Sequence, residues 1–170
     1  MEERRYDCSS NIPYCSDRAI GLSHNIITVS GSDKSNDAAT AARVTARLRA
    51  VDALARAILY QQLSGKAAAT IVGRVEAAIG STRLHFDTLG RIDDAALRAC
   101  GVSGNKSLAL RDLAAREQRG EIPTLRQMCT MHEDEIVAAL VPIRGIGRWT
   151  VEMMLMFRLG RPDVLPIDDL

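Results

Sequence analysis

Two stretches of the chain combine residue types and spacing that can do chemistry. In PDVLPIDDL, Pro162–Leu170, a short apolar extended run leads to the adjacent carboxylates Asp168 and Asp169. An ionised carboxylate can stabilise positive charge that develops in a transition state, or orient a water for attack. In LVPIRGIGRWTVEMM, Leu140–Met154, Gly145 and Gly147 flank one apolar residue, Ile146, between two helical patterns. Glycine at both positions permits positive φ and close backbone approach. Ile146 then plugs the gap between the helices. The amides of Gly145, Gly147 and Arg148 point outward from a helix N-terminus, which suits a phosphate oxygen, and Arg148 adds a charge beside them. The same residues also fit a plain tight turn between helices with a glycine C-cap.

The remaining polar candidates are weaker. His24, His85 and His132 are scattered along the chain and fit surface or capping roles. Lys66, Lys106, Arg148 and Arg158 can contact phosphates, although helical Lys and Arg more often form solvated faces. Cys8, Cys15, Cys100 and Cys129 fit neither a zinc site nor an iron–sulfur pattern and read as free thiols in a reducing compartment.

Composition narrows the classes. The chain has 170 residues, 46% apolar and 25% charged, which suits one soluble domain with a proper core. A net charge of +1 announces no global basic field, so any nucleic-acid contact rests on a local face. No apolar run approaches the about 20 residues that span a bilayer, and the N-terminus lacks the apolar region of a secretory signal.

The elements that position these residues are helical. Residues 1–37 are rich in Ser, Asn and Asp and read as a loosely ordered leader; residues 38–170 read as the domain. Residues 38–49 suggest a helix leading to Asp52, which is expected to cap the next one, with Leu54, Ile58 and Leu63 on its apolar side and Gly65 near its end. Residues 66–79 place Ile71, Val75, Ala78 and Ile79 on one face, and Gly80 stops that helix. Asp93 or Asp94 caps a short helix ending at Gly101, and Ser107–Arg119 form another, closed by Gly120. Thr124–Gln127 and Thr130–Glu133 both match the capping box, the second opening a helix through Ile136, Ala139 and Leu140. The last helix runs from Gly147 or Arg148 to about Leu159, where Gly160 and Pro162 end it. The fold class is all-α, with many short helices and no convincing strand in residues 41–160.

Pro142, the Gly-Ile-Gly turn and the following Arg-Trp-Thr resemble the helix-hairpin-helix element of the DNA glycosylase superfamily that includes endonuclease III. The match is nearest to its 3-methyladenine-DNA glycosylase II branch. The resemblance covers roughly residues 53–170 and rests on four motifs in order. ALARAILYQQLSGKAAATI (53–71) resembles the helix–turn–helix facing the damaged base. LRACGVSGNKSLALRDLA (97–114) resembles the L-x-x-x-G-h-S-x-x-K segment. PIRGIGRWTVEMM (142–154) is the hairpin, and DVLPIDDL (163–170) resembles the approach to the catalytic aspartate.

The resemblance implies a glycosylase that flips alkylated purines, of the 3-methyladenine and 7-methylguanine class, out of double-stranded DNA and hydrolyses their N-glycosidic bond. It implies Asp169 as the catalytic carboxylate and Gln62 as the wedge that fills the gap. Tyr60, Trp149 and Met153 become the base pocket, and Gly145, Ile146, Gly147 and Arg148 the phosphate site. Gln61 and Gln62 equally suit a polar helix end, and Trp149 equally suits a core position at helical spacing with Met153 and Met156. Relatives that also cut the strand carry a lysine nucleophile where Trp149 stands, so no lyase step is expected. The resemblance brings no metal site and no iron–sulfur cluster, and it allows a monovalent cation at the hairpin backbone. A monomer is expected, cytoplasmic or nucleoid-associated in a bacterium and nuclear in a eukaryote, with no membrane.

The family continues beyond the aspartate with an L-x-x-R helix and further helices. The domain here is therefore expected to be incomplete on its C-terminal side. Three other readings compete: a non-catalytic helix-hairpin-helix module that binds DNA, an inactive truncated glycosylase, and a small helical interaction domain in which Gly-Ile-Gly is only a turn.

Overall fold

Local capping and apolar spacing account for most of the helix boundaries in the computed structural model, which describes residues 50–161 and Val164. The first described helix, α1, covers residues 50–60. Its buried residues Val51, Leu54, Ala55, Ile58 and Leu59 recur at helical spacing on one side. Seven helices follow: α2 (Gly65–Ile79), α3 (Phe86–Leu89), α4 (Asp94–Ala99), α5 (Gly104–Arg119), α6 (Leu125–Thr130), α7 (Glu133–Leu140) and α8 (Arg148–Leu159). No strand occurs among the described residues, and no helix there is long and apolar enough to cross a membrane. The all-α expectation holds.

Three glycines end helices as expected. Gly80, Gly120 and Gly160 take φ of 67°, 75° and 64°, left-handed caps that a Cβ would strain. Asp93, not Asp94, caps α4 by accepting the Ala96 amide at 2.7 Å. Thr124 and Gln127 form the expected capping box at α6.

Other boundaries differ. Asp52 lies inside α1 rather than capping it. Its carboxylate instead accepts the Leu84 amide at 2.9 Å and pairs with Arg56 at 3.0 Å. Gly65 opens α2 rather than closing α1, because Ser64 caps α2 through the Ala67 amide. Leu63 is accordingly exposed. The buried side of α2 is Ala68, Val72, Val75 and Ile79, so Ala78 faces solvent. Helix α5 starts at Gly104, three residues before Ser107, and α4 stops at Ala99, short of Gly101. The second capping box is displaced: Thr130 ends α6, and Glu135 accepts the His132 amide at 2.8 Å to open α7. The leader 1–37 and the helix expected over 38–49 lie outside the described residues.

One apolar core joins these elements. Its fully buried side chains include Leu54, Ile58 and Leu59 of α1, Leu110 and Leu113 of α5, and Leu140 of α7. Each such side chain contributes roughly 1.5–3 kcal/mol by leaving water. Helices α3 and α4 pack on α5, and α6 and α7 pack on α8. Past α8 the chain returns Val164 to the core, 6% exposed. Arg161, also buried, donates to the carbonyls of Met128 and Met131 and so closes the C-terminal end of α6.

Candidate nucleic-acid interface and base pocket

The turn between α7 and α8 is built as its glycines demand. The Ile143 amide bonds the Leu140 carbonyl at 3.0 Å and the Ile146 amide bonds the Ile143 carbonyl at 3.0 Å. Gly145 takes φ +79°, and a Cβ there would stand 3.2 Å from Ala109 Cβ on α5. Ile146 is 4% exposed and fills the space between the helices. Gly147 caps α8 with φ −93° and ψ 169°, and a Cβ there would meet open space. No side chain caps the start of α8, and the amides of Gly145, Gly147 and Arg148 have no partner among the described residues. A twelve-residue helix thus presents an uncapped, accessible N-terminus, the arrangement that attracts an anion.

Arg148 beside it is partly committed. Its Nε donates to Glu152 Oε1 at 2.9 Å, and Nη2 lies 3.9 Å from Asp134 Oδ1. The guanidinium therefore offers an anion its remaining nitrogens, with its charge partly balanced. Glu152 is 2% exposed, and its Oε2 has no hydrogen-bond partner among the described residues.

One side of α5 supports this hairpin. Lys106, Ala109, Asp112 and Arg116 are spaced three, three and four residues apart and so share a face. Asp112 Oδ2 accepts the Arg144 amide at 2.8 Å and Arg116 Nε at 3.0 Å, while Arg116 Nη2 donates to the Pro142 carbonyl at 2.9 Å. Burial raises the Asp112 carboxyl, but the Arg144 amide, the Arg116 hydrogen bond and the charges of Arg116 and Arg119 outweigh it and hold it below the usual range. A carboxyl depressed in the fold stabilises above its unfolded value, about 3.9, and that stability is lost as pH falls through the lower folded value. Asp112→Asn is expected to remove about 1 kcal/mol at neutral pH and progressively less as pH falls below about 4. Denaturant unfolding at a series of pH values checks this; an equal loss at both ends of the range would contradict it.

The second turn follows α1. Gln61 still bonds the Ala57 carbonyl at 3.2 Å, but Gln62 takes φ +57°, the one positive φ outside glycine among the described residues. That conformation costs a non-glycine residue about 1–2 kcal/mol and persists only where its surroundings over-determine it. Lys106 supplies part of that constraint: Nζ donates to the carbonyls of Leu59 at 2.8 Å and Gln61 at 2.7 Å. Lys106 is thus tied to two backbone carbonyls rather than forming a plain solvated face, and burial lowers its pKa. Gln61 Nε2 donates to the Gly145 carbonyl at 2.7 Å and ties the two turns together. Gln62 is exposed and lines a cavity of about 190 Å³ together with Lys106 and Ile71.

The proposed pocket residues gather only in part. Trp149, Met153 and Phe157 follow one another at four-residue spacing along α8. Trp149 is 42% exposed and Phe157 68% exposed, while Met153 is half-buried. Trp149 therefore stands at the surface rather than in the core. Tyr60, 42% exposed, ends α1 next to Gln61. Its ring makes no ring contact with Trp149; the ring pair among the described residues is His85–Phe86. Asp168 and Asp169 lie outside the described residues. Lys66 and Arg158 stand exposed on helix faces, and His85 and His132 occupy N-cap positions. Cys100 and Cys129 are buried, and no cluster of His, Cys, Asp and Glu among the described residues can hold a metal. Gln61, Lys106 and Asp112 are the residues whose roles the sequence did not reveal.

Comparison with known proteins agrees with this geometry. The family model for HhH-GPD superfamily base excision DNA repair proteins matches residues 55–170. DNA-3-methyladenine glycosylase 1 of Schizosaccharomyces pombe is 42% identical over 120 residues, covering 69% of this chain and 52% of that protein. An alkylbase DNA glycosidase-like protein of the same yeast is 34% identical over 121 residues, 69% of this chain and 56% of its own. Among solved structures, DNA-3-methyladenine glycosidase from Bacillus halodurans superposes with a TM-score of 0.66 at 38% identity, over 71% of this chain and 55% of that one. The S. pombe 3-methyladenine DNA glycosylase in complex with abasic DNA gives a TM-score of 0.63 at 38% identity, over 71% and 59%. The chain spans about half the length of the curated relatives it matches. It belongs to the HhH-GPD superfamily of base excision DNA repair proteins.

Proposed function

We propose that the protein is a DNA glycosylase that removes alkylated purines of the 3-methyladenine and 7-methylguanine class from double-stranded DNA. The observation that carries this reading is the pair of joined turns. An uncapped helix N-terminus at Gly147 can seat a phosphate, and the Gln61–Gly145 hydrogen bond sets the exposed Gln62 beside it. A relative in the same family was solved on abasic DNA, the product of such a reaction.

The chemistry then needs little. Flipping the damaged base costs a few kcal/mol, and a side chain at Gln62 that enters the stack offsets the loss. An alkylated purine already carries positive charge and leaves readily. The deoxyribose develops oxocarbenium-like charge, which Asp169 is placed by the sequence resemblance to stabilise. The exposed face of Trp149 offers the cationic base a wall to stack on. A monovalent cation at the hairpin carbonyls would share the Gly145 oxygen with the Gln61 amide.

Incubation with methylated duplex DNA, followed by chromatography of the released bases, tests the activity. Release of 3-methyladenine supports it. Binding with a log–log salt dependence but no release would leave only a DNA-binding module. Trp149 in place of a nucleophilic lysine predicts no strand nicking and no borohydride-trapped covalent complex. A trapped complex would overturn the single-step hydrolytic reading.

A further inference from the structure

Gln61 is held at both ends by residues far from it in sequence. Its carbonyl accepts Lys106 Nζ at 2.7 Å, and its side-chain amide donates to the Gly145 carbonyl at 2.7 Å. Lys106 also takes the Leu59 carbonyl at 2.8 Å, so its ammonium closes the carbonyl end of α1, where the helix dipole favours a cation. The next residue, Gln62, is the one non-glycine residue among those described with positive φ. Release of either hold frees that turn to relax toward ordinary backbone angles. The Gly145 carbonyl belongs to the loop in which the amides of Gly145, Gly147 and Arg148 have no partner among the described residues. Movement of the hairpin on a phosphate is therefore passed to Gln61 by one hydrogen bond.

We propose that Lys106 and Gln61 are positioning residues that lock the Gln62 turn to the Gly145–Arg148 phosphate grip, so that seating on the DNA backbone sets the wedge at the target base. The proposal rests on the glycosylase reading and extends it. Lys106 acts through the turn and touches no DNA. Burial lowers its pKa, in keeping with an ammonium withdrawn from the surface.

The test uses the full chain and the variants Lys106→Met, Lys106→Arg and Gln61→Leu. One substrate is duplex DNA with a single 7-methylguanine, paired with cytosine or placed opposite an abasic site. Base release is followed in a single turnover. Lys106→Met and Gln61→Leu are expected to slow release about tenfold or more from the paired duplex, but only about two- to threefold opposite the abasic site, where extrusion costs less. Lys106→Arg keeps the donors and restores most of the rate. The salt dependence of binding to undamaged duplex is expected to be unchanged. A slope lower by about one in Lys106→Met would make Lys106 a phosphate contact and overturn the proposal. Equal slowing on both substrates, or parental rates throughout, would overturn it as well. A parent that releases no base refutes the glycosylase reading alone. The coupling is then decided by 2-aminopurine in bound duplex, whose fluorescence should rise with the parent and not with Gln61→Leu; an equal rise with both would end the proposal.

Discussion

Asp169→Asn is expected to lower release of alkylated purines by about 10²–10³-fold while leaving affinity for undamaged duplex within about twofold. Asparagine keeps the shape and hydrogen-bonding capacity of aspartate and removes its charge. The charge is what the reaction requires. As the N-glycosidic bond lengthens, positive charge grows on the deoxyribose, and a carboxylate beside it stabilises that charge more than it stabilises the ground state. The departing base needs no strong acid because alkylation has already made it cationic, so no second carboxylate compensates. The substitution leaves the phosphate site proposed at the hairpin untouched, so binding is expected to persist. Asp168→Asn is the control and should retain most activity. Single-turnover release and binding measured on the same preparations decide the matter. Equal rates for Asp169→Asn and the parent would remove Asp169 from the mechanism.

Gly145→Ala is expected to have the largest effect on the fold of the site. With φ +79°, alanine incurs about 1–2 kcal/mol of left-handed backbone strain. Its Cβ also meets Ala109 Cβ at 3.2 Å, and that atom hangs directly from the α5 backbone, so it cannot rotate away. Crowding of this kind adds about 1 kcal/mol or more. The hairpin is displaced from α5, its amides turn, and DNA affinity falls with stability. Gly147→Ala separates the two effects. Its φ is ordinary and its Cβ enters open space, so stability should drop by at most about 1 kcal/mol, from a poorer N-cap. The added methyl nevertheless occupies the approach to the amides. Urea unfolding should therefore distinguish the variants, while fluorescence anisotropy with labelled duplex should show both binding more weakly. Parental affinity in Gly147→Ala would place the phosphate elsewhere.

Much of the fold was legible because helix ends are local. Gly80, Gly120 and Gly160 end helices, Asp93 caps α4, and Thr124 pairs with Gln127, each through partners within about five residues. Asp52 misled for the opposite reason. An aspartate before an apolar stripe looks like a cap, but its carboxylate serves an amide 32 residues away, at Leu84. Gly65 read as a helix end because glycine commonly follows one, but Ser64 caps α2 through the Ala67 amide and makes Gly65 its first residue.

The same division runs through the site. Residue types and order alone determined the helical class and the Gly-Ile-Gly hairpin, which depend on apolar spacing and short-range backbone geometry. The expectations for Asp169 and for a missing lysine nucleophile at Trp149 came from the family resemblance of the motifs. Tertiary structure decided that Lys106 holds the Leu59 and Gln61 carbonyls, that Asp112 holds the Arg144 amide, and that Gln61 joins two turns 84 residues apart. A lysine, an aspartate or a glutamine carries no mark in sequence of which distant amide or carbonyl it will satisfy. That pairing exists only once α1, α5 and the hairpin have packed and left those particular backbone groups without partners.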